Sequence, residues 1–220
     1  MKKVVVLTGA GISAESGIKT FRDAGGLWEG HDVMTVASPQ GWARNRALVL
    51  DFYNQRRRQL KEVEPHDGHR ALKDLEEQYD VVIITQNVDN LHERAGSSNI
   101  IHLHGELTKS RSTKDESAVF DCAGDIREGD CCPGGAQLRP HIVWFGEGVP
   151  LLETAAREIS NADVVLVIGT SMQVYPAASL TDYAPRFAPI YYIDPHPSLN
   201  YELQRAANLT VIEENAGTGV

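Results

Sequence analysis

The chain is short of cysteine, short of positive charge, and has no long apolar run. Its 220 residues hold three cysteines, Cys122, Cys131 and Cys132. An odd number with two of them adjacent makes a poor disulfide framework and fits a reducing compartment. Lys and Arg number 21 against 30 Asp and Glu, for a formal charge of −9. No general affinity for nucleic acid is expected, because its phosphates demand a basic face. The one dense cationic run, Arg56-Arg57-Arg58, is too short to reverse that. No apolar stretch approaches the roughly 20 residues that span a bilayer, so no membrane partner is expected. Met1-Lys2-Lys3 before Val4-Val5-Val6-Leu7 has the order of a signal peptide, but its apolar part is too short and runs straight into glycines. It reads as the first strand of a cytoplasmic protein.

What is present is an alternation. Short β-branched runs at 4–7, 81–85, 100–103, 142–145, 164–168, 190–193 and 209–212 read as strands buried on both faces. Helical stretches lie between them at 47–60, 66–79, 151–161, 177–183 and 199–207. This order predicts an α/β fold with a Rossmann-like, doubly wound parallel sheet. Two excursions, 23–79 and 107–139, break the alternation and are expected to form a smaller lobe. The large lobe then takes about 1–22, 80–106 and 140–220.

Ligands of such sheets gather at the carboxyl ends of the strands. The residues after the first five runs are Thr8-Gly9-Ala10-Gly11, Gln86-Asn87-Val88-Asp89, His104-Gly105-Glu106, Gly146-Glu147 and Gly169-Thr170-Ser171. Gly9-Ala10-Gly11-Ile12-Ser13-Ala14 fits G-x-G-x-x-G/A, whose turn lets backbone N–H groups meet a pyrophosphate. A dinucleotide-binding dehydrogenase then needs a second strand ending in an acid about 20 residues on. Here that stretch is the loop Gly25-Gly26-Leu27-Trp28-Glu29-Gly30, which speaks against a dehydrogenase.

His104, near Asn87 and Asp89, is a candidate general base, with His102 its competitor. Asp89 reads equally as a helix N-cap for 90–95, and Gly169-Thr170-Ser171 as a plain cap or a phosphate-facing turn. Tyr53 and Arg56 share a helix face and can together hold a carboxylate, whereas Arg57 and Arg58 read as a solvated face.

The stretches "GAGISAESGIKTFR", "TQNVDNLHERAG", "HLHGEL", "LRPHIVWFGE" and "GTSMQVYPAA" resemble the sirtuins, NAD-dependent protein lysine deacylases, in family order and over nearly the whole chain. Tyr53-x-x-Arg56 is similar to the bacterial desuccinylase and demalonylase class. The resemblance implies that NAD is consumed as a co-substrate. It places Gly9, Ala10, Gly11, Ile12, Ser13, Ala14, Thr20, Phe21 and Arg22 along the NAD, with Trp28 above it. Gln86, Asn87, Val88 and Asp89 would hold the ribose and the nicotinamide, and Gly169, Thr170 and Ser171 the adenosine side. Tyr192, Ile193, Asp194 and Ala216 would close around the adenine and its ribose. His104 would be the general base, with Asn87 beside it in the catalytic pair. Ile142, Val143, Phe145, Gly146 and Glu147 would border an acyl-lysine channel, pairing the substrate as an added strand. Tyr53 and Arg56 would bind the carboxylate of a succinyl or malonyl group. The partners implied are acylated lysine side chains of proteins, and a monomer suffices.

Two departures from the family stand out. Most sirtuins carry two C-x-x-C pairs that hold a structural zinc. Here "KSRSTKDES" and "DCCPGGAQLRP" stand where the pairs belong, and no C-x-x-C pair can be drawn. Three cysteines with an aspartate such as Asp115, or with His141, could improvise a site. The expectation is instead a lobe that folds without metal. The chain also stops at "ENAGTGV", where relatives commonly continue into a helix. The competing readings are a broad deacetylase, a mono-ADP-ribosyltransferase, a dehydrogenase and a non-catalytic NAD-binding module.

Overall fold

The computed structural model describes residues 1–19, 27–28 and 30–220, without the side chain of Leu27. In chain order the elements are β1 (Lys3–Thr8), α1 (Ala10–Ala14), β2 (Leu27–Trp28), β3 (His31–Asp32), α2 (Val33–Val36), α3 (Pro39–Arg44), α4 (Arg46–Leu60) and α5 (Asp67–Leu75). There follow β4 (Asp80–Thr85), α6 (Leu91–Ala95), β5 (Ile100–His102), β6 (Gly105–Ser112), β7 (Val119–Asp121) and β8 (Leu138–Ile142). The remainder is α7 (Leu152–Ser160), β9 (Val164–Ile168), a 3₁₀ turn (Ala177–Tyr183), β10 (Ile190–Ile193), α8 (Tyr201–Gln204), β11 (Leu209–Ile212) and α9 (Ala216–Gly219).

Six strands form one parallel sheet in the order β11-β10-β9-β1-β4-β5. β1 is central and apolar on both faces because both are covered. Val5 and Leu7 pack with Ala155 and Ile159 of α7, while Val4 and Val6 pack with Leu72 of α5. The chain lays strands to one side of β1 and then returns to lay β9, β10 and β11 on the other. The gap between the ends of β1 and β9 is therefore the switch point of the sheet. In register, Ile193, Ile168, Thr8, Thr85 and His102 form one row across its carboxyl edge.

A second, antiparallel sheet has the order β7-β6-β8. The polar stretch 107–139 carries most of it, since pairing across β6 needs no apolar periodicity on the solvent side. One expectation is corrected. The run 142–145 is not a strand of the parallel sheet: β8 ends at Ile142 and pairs with β6, Gly105 lying opposite Ile142. Trp144 leaves the strand to fill an aromatic cluster with Phe52, Tyr53, Trp28 and Trp42. The helix expected at 199–207 is one short turn, Tyr201–Gln204, and 177–183 is 3₁₀. Arg57 is also corrected. It is 2% exposed, its Nε donating to Leu107 O at 2.7 Å and its Nη1 to Asn54 Oδ1 at 2.8 Å. Helix periodicity could not separate it from Arg58, which pairs with Asp125 on the surface.

Candidate active site

The residues that follow the row at the carboxyl edge meet one another. Gly11 N donates to Gly169 O at 2.7 Å, and Gly9 N to Ile168 O at 3.1 Å. A Cβ on Gly9 would lie 2.6 Å from Thr170 Cβ. These glycines thus let the turns after β1 and β9 cross, a nearer cause than the approach to phosphate read from the motif. Gln86 Nε2 donates to Thr170 Oγ1 at 3.0 Å, joining the end of β4 to the same turn.

A buried chain of polar groups runs beneath this edge. Asn87 Nδ2 donates to Ser13 Oγ at 3.0 Å, and Ser13 Oγ donates to Asp89 Oδ2 at 2.9 Å. The other carboxylate oxygen of Asp89 accepts from Leu91 N at 3.1 Å, so the side chain also ties down the entry to α6, whose N-cap is Asn90. Burial raises its pKa against the opposing pull of those two donors. Val88 faces the aromatic cluster, and its carbonyl accepts from Leu107 N.

Two histidines competed for the role of base, and their surroundings separate them. His102 Nε2 lies 2.6 Å from Glu93 Oε1. Burial disfavours its cation, but Glu93 outweighs that and raises its pKa. His104 sits past the end of β5, with Nδ1 3.0 Å from Gln86 O. A carbonyl only accepts, so Nδ1 carries the proton and Nε2 is left with a lone pair. Burial lowers the pKa of His104 below the usual imidazole value, which keeps the ring neutral near pH 7. His104 keeps a lone pair for a proton, whereas both ring nitrogens of His102 face acceptors, Glu93 and, at 3.4 Å, Asn87 O.

Other positions from the sequence reading fall as follows. Ala10 and Ala14 bound the one-turn α1, in which Ile12 is buried. Tyr192 is wholly buried, and its hydroxyl donates to Thr170 O at 2.8 Å, which supports the turn after β9. Ile193 and Ala216 share the core cluster of Ile12. Asp194 follows β10 and accepts from His196 N at 2.8 Å. Ser171 follows Thr170 half-buried at the rim. Thr20, Phe21 and Arg22 lie outside the described residues.

On the channel side, Glu147 is drawn inward. It accepts from Arg139 at 2.6 Å, from Arg111 at 3.1 Å and from Trp144 N at 2.8 Å. Burial works against its ionisation, but Arg139 and the Trp144 N–H outweigh it and lower its pKa. Val143 N donates to His104 O and Phe145 N to Ala37 O. Phe145 and Gly146 are exposed.

Tyr53 is wholly buried, with its hydroxyl accepting from Trp144 Nε1 at 3.1 Å. Burial raises its pKa well above the ordinary phenol value. The Arg56 guanidinium lies 5.0 Å from the centroid of the Phe52 ring.

The Sir2 family model matches residues 9–176. The chain belongs to the Sir2 family. An NAD-dependent protein deacylase of Helicobacter pylori strain J99 is 61% identical over 98% of this chain and 91% of its own length. Another, of Bacteroides thetaiotaomicron, is 53% identical over 100% and 95%. A solved Sir2 homologue in complex with NAD superposes with a TM-score of 0.87 at 40% identity, covering 98% of this chain and 85% of that one. A Sir2 bound to acetylated peptide gives 0.81 at 27% identity, over 97% and 88%.

Against the sirtuin pattern, the donors at the usual zinc position do not fit a tetrahedral site. Cys132 Sγ is buried 3.5 Å from Ser112 Oγ, Cys122 Sγ points to Gly124 O, and Cys131 is exposed. Asp115 holds Ser117, and His141 stands opposite Glu106 across the sheet. Among the described residues one His-carboxylate group lies within 4.8 Å, namely Glu93, His102 and Glu106. Both of its acids already have cationic partners, Glu93 in His102 and Glu106 in Lys109 at 2.8 Å. Trp144 and Arg139 escaped the sequence reading. Trp144 lies inside a quoted motif, but no spacing shows that its indole reaches a tyrosine 91 positions away.

Proposed function

We propose that this Sir2-family protein is an NAD-consuming protein-lysine deacylase that prefers succinyl and malonyl groups and also removes acetyl. The observation that carries the deacylase reading is His104, a neutral imidazole with its Nδ1 proton pinned to Gln86 O. It stands at the same sheet edge as the Asn87–Ser13–Asp89 chain. The names of the relatives and the NAD and acetyl-peptide complexes of the structural neighbours support it. The donors and acceptors at the switch point suit a dinucleotide: hydroxyl and amide groups for its ribose, and a tight turn beside α1 for its phosphates.

NAD supplies a ribose carbon from which nicotinamide departs as the acyl oxygen attacks. Asn87, held by Ser13, positions the ribose side. His104 Nε2 takes a proton from the ribose hydroxyl system, so that the hydroxyl can attack the carbon of the acyl group. The lysine amine then leaves, and one water adds to the acyl carbon left bridging two ribose oxygens, so the products are free lysine, nicotinamide and O-acyl-ADP-ribose. The acidic preference rests on Tyr53 and Arg56, one turn apart on α4. A charge-assisted pair of this kind is worth about 1.5–3 kcal/mol, roughly ten- to a hundredfold in selectivity.

The same reading takes 1–22, 80–106 and 140–220 as a large lobe, 23–79 and 107–139 as a small one, and the protein as a cytoplasmic monomer, in keeping with three free thiols. The test is nicotinamide release with matched succinyl-lysine and acetyl-lysine peptides, for wild type and Arg56→Met. Succinyl preference that the substitution removes supports the reading. Equal handling by both proteins leaves a broad deacetylase, and release without an acyl-lysine peptide points to ADP-ribosyl transfer.

A further inference from the structure

The geometry points to Trp144 as a positioning residue that fixes Tyr53 as a hydrogen-bond donor toward the acyl group. The inference rests on the reading that Tyr53 meets the acyl chain. An indole N–H can only donate, and here it donates to the Tyr53 oxygen at 3.1 Å. A phenol has one proton and accepts through its oxygen. With Trp144 filling one acceptor direction, the Tyr53 proton turns away from the indole, which leaves it to serve an acceptor such as a carboxylate oxygen. Because Tyr53 stays protonated in its buried position, that donor persists across the working pH range.

The indole is itself held. The Arg139 guanidinium lies 3.3 Å from the centroid of a Trp144 ring, and Glu147 binds Arg139 at 2.6 Å while accepting from Trp144 N at 2.8 Å. The Trp42 ring lies 5.7 Å from that of Trp144, centroid to centroid. A clamp therefore runs from Glu147 through Arg139 and Trp144 to Tyr53, from the end of β8 to the middle of α4. Arg56 contributes charge at this site, and Trp144 contributes direction. A buried donor of fixed direction favours an acyl group that brings an acceptor, and gives an apolar methyl nothing to bind.

The experiment compares the ratio of kcat/KM for succinyl-lysine to that for acetyl-lysine peptide in wild type, Trp144→Phe, Tyr53→Phe and the double variant. The expected result is a ratio lowered about three- to tenfold by Trp144→Phe, through KM for the succinyl peptide. Tyr53→Phe should lower it at least as much, with no further loss in the double variant. A merely structural tryptophan would lower both substrates alike and leave the ratio unmoved, which overturns the inference. So does a ratio that falls with Tyr53→Phe and not with Trp144→Phe. A wild type without succinyl preference instead overturns the functional reading on which the inference rests. Should Trp144→Phe not fold, benzothienylalanine at position 144 keeps the shape and deletes only the N–H, and the same ratio is read.

Discussion

Gly11 donates a 2.7 Å backbone hydrogen bond to the carbonyl of Gly169, and a Cβ on Gly11 would stand 2.6 Å from the Gly169 Cα. Every near atom is backbone, so nothing can rotate away. Gly169 also has φ of +59°, a conformation that L side chains rarely adopt. Gly11→Ala should cost about 1–3 kcal/mol of stability by overpacking. It should also raise KM for NAD, because the turns after β1 and β9 would part. Chemical denaturation and steady-state kinetics on one preparation check both.

His104→Ala should lower kcat by about 10²–10⁴-fold and leave binding of NAD nearly unchanged, as expected for loss of a general base. In the wild type the active form is the neutral ring. Burial lowers its pKa, so activity should fall on acidification with a midpoint below pH 6.5, not above it. A midpoint above 7 would reassign the base. A pH profile of kcat under saturating NAD and peptide is the measurement.

Three imidazoles pack edge to face behind α1: the His66 and His69 ring centroids are 4.5 Å apart, and those of His69 and His92 4.9 Å. Burial pushes His69 down to about 2 and His92 to about 4; Arg70 pushes His69 the same way and His102 does so at His92, opposed there by Glu93. In the unfolded chain both rings take a proton near pH 6.5, whereas the folded protein refuses it. Their contribution to stability is therefore complete above about 6.5 and lost as pH falls toward 4, by about 1.4 kcal/mol per pH unit for each group. Urea melts at pH 7.5 and 5 should show this slope, and His69→Leu should reduce it by one group.

Glu147 serves two guanidinium groups whose side chains are 6% and 9% exposed. Glu147→Gln leaves both cations buried without a counter-charge, and about 3–5 kcal/mol of stability should go with it. The thermal midpoint should drop by several degrees, and deacylation should weaken with both peptides, more with succinyl, because Glu147 also holds Trp144 through its N–H and through Arg139.

Much of this was legible in the sequence because it depends on residues near one another in the chain. Buried parallel strands read as apolar runs, glycines mark the turns after them, and one strand end supplies Gln86, Asn87 and Asp89 together. The antiparallel sheet was not legible, because β6 and β8 are about thirty residues apart and their pairing leaves no periodic trace. Nor were the burial of Arg57, the separation of His102 from His104, or the tie between Trp144 and Tyr53. Each of these depends on which carbonyl, carboxylate or ring arrives from elsewhere in the chain. Local spacing determined the sheet and gathered the candidate residues at its edge. Only tertiary packing decided protonation, hydrogen-bond direction and burial, because those are properties of neighbours that are distant in sequence.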